Sequence, residues 1–293
     1  MKQQRIGLML GLMTITAFGL TLPVIRMIGD ELDPLIISMG RAAIAGLIAA
    51  AILRWRKISF PTLDERRQLY MVIAGVVLGF PLFSAWAMQL VPAAHGGVVL
   101  GVLPLLTALV GSLIAGEKPS VAFWLVSLVG GVLVVLYMVL AQGLKLQLGD
   151  LLLLLASIAA AVGYASGGQL SRQIPGWQVI CWALVLALPI TVPPFLWHLP
   201  EAWQTSGLES WLGFLYLAVV SQLFGFFFWY RALALGGIAR VSQVQLLQPF
   251  VTIAAAWIWL GEPMQISTLV FASMIVCTVF IAQKMTVYRE GEN

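Results

Sequence analysis

Polar side chains recur at helical spacing in one otherwise apolar stretch of the chain. Ser242, Gln245, Pro249 and Thr252 lie three or four positions apart, and Gln248 borders the same stripe. On a helix, this spacing places the hydroxyl and amide groups along one face. Such a face suits the hydrogen bonding of a polar substrate, since polar groups within lipid usually face a bundle interior or a cavity. The alternative is that the amides bridge neighbouring helices, and both interpretations stay open here.

A single arginine, Arg41, lies inside a second apolar stretch, about two turns from its outer end. A guanidinium at that depth, roughly 10 Å at 1.5 Å per residue, is costly without a partner. One interpretation is that it binds a carboxylate or phosphate group of a substrate. The other is that it reaches outward to the lipid headgroups or pairs with a carbonyl at a helix end.

Other polar and aromatic residues lie near the ends of apolar stretches. Trp86, Gln89 and His95 are predicted to form an external gate or rim, although an aromatic belt at the membrane surface also explains the tryptophan. Tyr164 and Gln222 are predicted to line the opposite half of a cavity.

Two aromatic residues and two prolines are candidate gate or hinge positions. Trp229 and Tyr230 fit either an inner gate or anchors at the membrane surface. Pro104 and Pro249 each remove a helical hydrogen bond, which at membrane depth is tolerated where the backbone is buried or faces a cavity. A packing kink is the alternative for both prolines.

Several kinds of chemistry have no motif in this sequence. The two histidines, His95 and His198, belong to no HExxH motif, and no GxSxG or GxxxxGK[ST] motif occurs. The two cysteines, Cys181 and Cys277, match no zinc-ligand spacing. We therefore expect no enzyme, no ATP-driven pump, no bound metal and no cofactor. No Asp or Glu lies in the middle of an apolar stretch, which leaves proton coupling open.

The composition is that of a membrane protein. Hydrophobic residues make up 61% of the 293 residues, charged residues only 10%, and the mean hydropathy is +0.98. Soluble proteins carry about 25% charged residues. The net charge of +4 is interpreted as a signal of topology and not of nucleic-acid binding, because no basic run occurs.

Apolar windows of membrane-spanning length predict ten transmembrane helices, five in each half of the chain. They cover positions 6–25, 35–53, 70–90, 94–115, 121–141, 150–170, 178–197, 211–230, 239–260 and 265–284. With both termini in the cytoplasm, thirteen of the sixteen basic residues, Lys284 among them, fall on the inner side. Arg26 and Lys145 fall outside, and Arg41 lies within a span. This distribution predicts an N-in, C-in protein of a bacterial inner membrane.

The two halves resemble each other. A shift of 145 residues aligns Pro104 with Pro249 and Thr107 with Thr252, and it places Gly-Glu at 116–117 over Gly-Glu at 261–262. Because each half has an odd number of spans, the repeats must be inverted in the membrane, as in many transporters. We predict repeats at 1–145 and 146–293. The repeated Gly-Glu pairs are predicted to lock loops together.

Four stretches carry a resemblance to a known family: AFGLTLPVIR, DPLIISMGRAAIAGL, PAAHGGVVLGVLPLLTALVGSLIAGEKP and ARVSQVQLLQPFVTIAAAWIWLGEP. With them the whole chain resembles the EamA-type family of the drug/metabolite transporter superfamily. The resemblance implies a basket of helices around a central cavity, alternating access, and export of amino acids or other metabolites. The expected partners are a small-molecule substrate and the lipid bilayer, with the protein a monomer or a homodimer. A membrane scaffold or accessory protein without transport is the alternative.

Overall fold

The computed structural model describes residues 2–141, 147–283, 285 and 287–289. Lys145, Lys284 and the predicted boundary between residues 145 and 146 lie outside these ranges. The described helices, numbered α1 to α10 in chain order, are Arg5–Ile28, Ile36–Trp55, Leu63–Ala87, Ala93–Ala115, Val121–Ala141, Leu148–Leu170, Gly176–Thr205, Leu208–Gly236, Ile238–Leu260 and Ile266–Gln283.

Eight of the described helices, all except α5 and α10, are long and apolar enough to cross a membrane. The apolar parts of the other two within the described residues are shorter, Val121–Leu133 and Ile266–Thr278. The chain is therefore a helical, multi-pass membrane protein. Its described strands are β1 (Glu117–Pro119) and β2 (Val287–Arg289), which pair antiparallel and join the α4–α5 connection to the C-terminal segment.

Several helices extend beyond their predicted bounds, and for α3 and α7 the reason can be identified. Helix α3 begins seven residues earlier than predicted, because the Glu65 carboxylate accepts a hydrogen bond from the Thr62 amide at 2.6 Å and the Thr62 hydroxyl accepts one from the Glu65 amide. This capping box starts the helix within a polar segment. Helix α7 continues to Thr205 through four prolines. Neighbouring helices and threonine side chains make such prolines tolerable in membrane helices.

The helices pack in a pattern that repeats with a shift of five helices. Helix α1 packs against α8, and α6 packs against α3 in the same way. Similarly, α4 contacts α6 while α9 contacts α1. The pairs α2 with α7, α4 with α9 and α5 with α10 complete the pattern. Every one of these contacts thus has its counterpart in the other half of the chain.

Irregular helical turns recur at the same 145-residue shift. Wide π-helical turns occupy Ile73–Gly79 in α3 and Tyr216–Phe224 in α8. Tight 3-10 turns occupy Leu100–Val102 in α4 and Gln243–Leu247 in α9. A further π turn, Ile36–Gly40, lies at the start of α2. Irregular turns inside helices frequently mark functional sites, and all five lie in helices that surround the centre of the bundle.

Candidate functional site

A small cavity lies at the centre of the bundle. Its volume is about 10 Å³, close to the minimum for one water molecule, so the site is closed in this conformation. Six helices, α1, α2, α3, α4, α6 and α8, and the start of the regular part of α9 supply its walls. The lining residues are Phe18, Thr21, Arg41, Val76, Phe80, Leu103, Tyr164, Ser221, Phe226 and Gln248.

Arg41 is the charged group of this cavity. It follows the π turn of α2 directly, and its side chain is only 1% exposed. One hydrogen bond reaches it, from Nη2 to the Ser221 hydroxyl at 3.4 Å, while Nε and Nη1 have no partner among the described residues. The alternative that this arginine reaches out to the headgroups is wrong, because the surrounding helices enclose it completely.

The polar stripe of α9 divides into bonded and unbonded groups. The Thr252 hydroxyl donates to the Gly19 carbonyl at 2.7 Å, and the Gln248 amide donates to the Phe18 carbonyl at 3.3 Å. Both therefore bridge α9 to α1, as the helix-bridging alternative predicts. The Ser242 hydroxyl bonds within its own helix, to the Ala239 carbonyl.

Gln245 differs from the rest of the stripe. It is buried, and within the described part of the chain neither atom of its amide has a hydrogen-bond partner. The Gln248 side-chain oxygen is likewise unpaired. A buried amide without partners costs free energy, so these atoms could accept hydrogen bonds from a further polar group or donate them to it.

Tyr164 and Gln222 are both predicted for one half of a cavity, and of the two only Tyr164 lines the central cavity. Tyr164 faces the same cavity as Arg41, and its ring packs 5.4 Å from that of Trp229. The Gln222 amide, in the π turn of α8, donates to the Val76 carbonyl at 3.0 Å, and its oxygen lacks a partner among the described residues. A π turn shifts the register of a helix, which brings Ser221 toward Arg41 and Gln222 toward α3.

The predicted gate and hinge residues do not come together in one place. Trp86 is 39% exposed, and Gln89 donates to the Gly29 carbonyl at 2.8 Å. His95 is buried and contacts Asp150. These three residues therefore have separate surroundings.

Trp229 and Tyr230 are fully buried, so the alternative that they anchor the protein at the membrane surface is wrong. The Tyr230 hydroxyl donates to the Gly163 carbonyl of α6 at 3.1 Å. Pro104 and Pro249 are also buried, and each lies just after a 3-10 turn, at the second position of the following regular helix. The local change of helix type at this point relieves the clash between each proline ring and the preceding turn.

Two acidic residues have roles that the sequence showed only in part. The Glu262 carboxylate accepts hydrogen bonds from the amides of Ala93 and Ala94, at 2.8 and 2.9 Å, and so caps α4 from the α9–α10 connection. This contact is a lock of the kind predicted for the Gly-Glu pair. Asp150 was missed, because its place in the first turn of α6 gave the appearance of an ordinary helix start. Its side chain is 1% exposed.

A multi-pass helical bundle with a buried cation and unpaired amides around a closed central cavity has the architecture of a membrane transporter. Residues 5–140 and 147–283 each match the EamA-like transporter family. The chain belongs to this family.

Relatives of known sequence agree with this assignment. The uncharacterized transporter YdeK of Bacillus subtilis is 41% identical over 252 residues, which cover 86% of this chain and 88% of that protein. A probable terminal-alkyne amino-acid exporter of Streptantibioticus cattleyicolor is 20% identical, with coverage of 96% and 94%. A probable amino-acid metabolite efflux pump of Salmonella typhimurium is 24% identical, with coverage of 93% of each.

The fold is also found in solved structures, among them a crystal structure. It superposes with a TM-score of 0.66 over 95% of this chain and 98% of its own length, at 18% sequence identity. At that identity, the likeness concerns the fold alone.

Proposed function

We propose that this protein is a secondary transporter that exports a small amphipathic metabolite bearing a carboxylate, such as an amino acid, by alternating access. The observation that carries the proposal is the state of Arg41, whose Nε and Nη1 are buried without partners among the described residues. A buried, unpaired guanidinium is costly. A substrate carboxylate would accept hydrogen bonds from it in the planar geometry that arginine favours.

The neighbours of Arg41 support an amphipathic substrate. The Gln248 side-chain oxygen offers an unpaired polar atom in the cavity wall, and Phe18, Phe80 and Phe226 provide apolar walls. Gln245 lies behind this wall, next to Tyr164. An amino acid has a charged end and a side chain that would use these two kinds of surface. The names of the relatives from Streptantibioticus cattleyicolor and Salmonella typhimurium, which refer to an amino acid and an amino-acid metabolite, point to the same class of compound.

Contacts across the bundle support ten spans with both termini in the cytoplasm. His95 at the start of α4 contacts Asp150 at the start of α6, so the two helices begin at the same end of the bundle. Helix α5 must therefore cross the membrane, because without this crossing α6 would begin at the end of the bundle where α4 finishes. Pairing of β1 with β2 places the end of α4 beside the C-terminal segment, which requires an even number of crossings between them, here six.

The orientation follows from the basic residues, which gather at the end where α4 finishes. In a bacterial inner membrane, the opposite end, where Glu262 lies, would then face outward. Labelling with an impermeant thiol reagent tests this: Asp33→Cys should react in intact cells and Lys57→Cys should not, in a background without the native cysteines.

The recurring helix contacts and irregular turns support two inverted repeats, at 1–145 and 146–293. In such an arrangement, alternating access follows when one repeat adopts the conformation of the other. No enzymatic activity and no cofactor are part of this proposal, because the central groups are binding groups and include no nucleophile paired with a base.

The test is flux through purified protein in liposomes with a panel of labelled amino acids and related carboxylates. We expect saturable flux that falls at least about tenfold in Arg41→Gln, because one buried charge-assisted interaction with substrate is lost. Arg26→Gln is the matched control, since Arg26 bonds the Met88 carbonyl away from the cavity. Equal flux in both variants would contradict the site. Folded protein that transports no compound would favour a scaffold.

A further inference from the structure

A second group of polar residues lies at the Glu262 end of the bundle, separate from the central cavity. His95 Nε2 is 2.6 Å from Asp150 Oδ1, and the side chains are 5% and 1% exposed. The other carboxylate oxygen of Asp150 accepts a hydrogen bond from the Gln147 amide at 2.9 Å. A buried acid and base at this distance must hold a proton between them.

The imidazole of His95 also borders a cavity of about 220 Å³. Ala94, Tyr137, Glu262, Gln265 and Thr268 line the same space, and its rim at Pro263–Gln265 is exposed. This volume has room for several water molecules. Protons can therefore reach the buried pair through water from one end of the bundle.

Within the described part of the chain, the titratable groups that face His95 carry no positive charge. Asp150 faces it from α6, Tyr137 stacks on it from α5 with ring centroids 5.4 Å apart, and Glu262 faces the cavity from the end of α9. Helix α10 contributes the Thr268 hydroxyl, and α1 packs beside this part of α4 through Leu22. A neutral imidazole would leave the pair with the charge of one buried carboxylate, which is unfavourable in a low dielectric.

We propose that His95 and Asp150 form the proton-binding site through which transport is coupled to a proton gradient. One proton is shared between Nε2 and Oδ1 in both states. A second proton, taken up from the cavity, binds the free ring nitrogen, so the pair changes from a net charge of −1 to 0 and no other bond breaks. The added proton gives the imidazole a positive charge opposite the carboxylate, and this attraction is strong in a low dielectric, so the protonated pair holds α4 against α6 more firmly.

Proton uptake would thereby act on the closure of this end. Three contacts join the first half of the chain to the second half here: His95 with Asp150, Glu262 with the start of α4, and Tyr137 with Thr268 at 3.3 Å. Protonation strengthens the first of these and closes the end, and release of the proton weakens it. The coupling of proton uptake to transport rests on the proposed function, whereas the binding of a proton by His95 and Asp150 does not.

The proton site is tested without any substrate. The chain has two histidines, so His198→Gln leaves His95 as the sole histidine signal in protein labelled with ¹⁵N-histidine and embedded in nanodiscs. We expect the ring signals to change between two protonation states from pH 5 to 9, and to change at a different pH in Asp150→Asn. Glu201→Gln, at the same end of the bundle, is the control, and in this variant the His95 ring signals should change at the same pH as in the parent protein. An imidazole that keeps one protonation state throughout would overturn the proposal.

Coupling is tested by the ratio of accumulation driven by a pH gradient to exchange without a gradient. We expect this ratio to fall at least about tenfold in Asp150→Asn and in His95→Gln, and to stay at the wild-type value in Glu201→Gln. An unchanged ratio in both variants would overturn the coupling. If the wild-type protein exchanges no compound, the proposed transport fails, and the titration of His95 still decides whether the pair binds a proton.

Discussion

At the scale of single residues, the central cavity combines groups that a stable core would exclude. Arg41 and Gln245 are buried with atoms that have no partner in the described part of the chain, whereas Thr252 in the same region is fully bonded. Proteins keep unfavourable buried groups where function requires them. The two kinds of polar residue on α9 therefore differ: Thr252 joins helices, whereas Gln245 has the unpaired amide that our proposal assigns to substrate binding.

The two roles lead to opposite effects on stability. In Gln245→Leu, an amide without partners is replaced by an apolar side chain of similar size, so thermal stability should stay equal or rise while flux falls about tenfold. In Thr252→Val, the hydrogen bond to Gly19 is lost, which should cost about 1 kcal/mol. Melting temperatures and flux of both purified variants are the measurements. A Gln245→Leu protein that is markedly less stable would indicate that Gln245 bridges helices instead.

At the scale of the helices, the tight packing of α3 on α6 depends on glycine. A Cβ atom on Gly75 would lie 2.5 Å from the Ala159 carbonyl oxygen and 2.6 Å from the Gly163 amide nitrogen. Real Cβ atoms do not approach backbone so closely, and small residues at helix crossings allow this packing. The same crossing brings Val76, the acceptor for Gln222, and Tyr164 to the cavity wall. The geometry of the site therefore depends on this contact.

Gly75→Ala should consequently separate the two helices. We expect a loss of about 1–3 kcal/mol, the usual cost of overpacking, seen as a lower melting temperature of the purified protein. Gly131→Ala is the matched control, because the nearest described neighbour of its new Cβ would be Cδ2 of the flexible Leu105 side chain, at 3.3 Å. Equal melting temperatures for the two variants would show that α3 can move away from α6 at no cost.

At the scale of the whole molecule, polar contacts join the two halves at the Glu262 end. Besides the contacts of His95, Tyr137 and Glu262, the Glu31 carboxylate accepts hydrogen bonds from the Gly207 amide at 2.7 Å and the Ser210 hydroxyl at 2.8 Å. Glu31 lies between α1 and α2, and its partners lie at the start of α8. The hydrogen bond from the Gly207 backbone, and after it the one from Ser210, lower the pKa of Glu31 below its usual value.

This lowered pKa sets the pH range of the contact. A carboxylate whose pKa is lower in the folded state stabilises the fold above its ordinary pKa, near 4.3, and loses that effect as the pH falls through the folded value. Glu31→Gln should therefore lower the melting temperature by about 1–2 °C at pH 7, a small effect because the group is exposed. The difference should persist down to about pH 5 and shrink progressively as the pH falls below the ordinary pKa.

Asp30→Asn, which removes a charge one position earlier, is the control for this titration. Its melting temperature should follow that of the wild type at each pH. A Glu31→Gln protein with wild-type stability at pH 7 would show that the contact at this end does not hold the halves together.

Much of the fold could be predicted from the sequence because lipid imposes strict requirements on it. Each apolar stretch must form a helix that satisfies its own backbone hydrogen bonds, so the positions of all ten described helices follow from hydropathy. The predicted helix bounds are wrong where a local polar contact decides where a helix begins, as at Thr62, and where a helix continues through prolines, as in α7. The repeat was visible because proline and Gly-Glu require particular backbone geometry: Gly116 and Gly261 both have positive φ, at 65° and 63°.

The residues of the candidate site could be selected from the sequence by their type, but the contacts between them could not be predicted. Arg41, Gln245 and Tyr164 are polar groups in apolar stretches, which was sufficient to select them. Which polar atoms remain unpaired depends on packing between helices distant in sequence, and a π turn in α8 brings Ser221 to Arg41 from 180 positions away. The pairing of His95 with Asp150 likewise depends on α4 lying against α6. Hydropathy alone determined that this chain crosses a membrane repeatedly, whereas only the tertiary contacts between distant helices decided which buried polar groups are bonded and which lack a partner among the described residues.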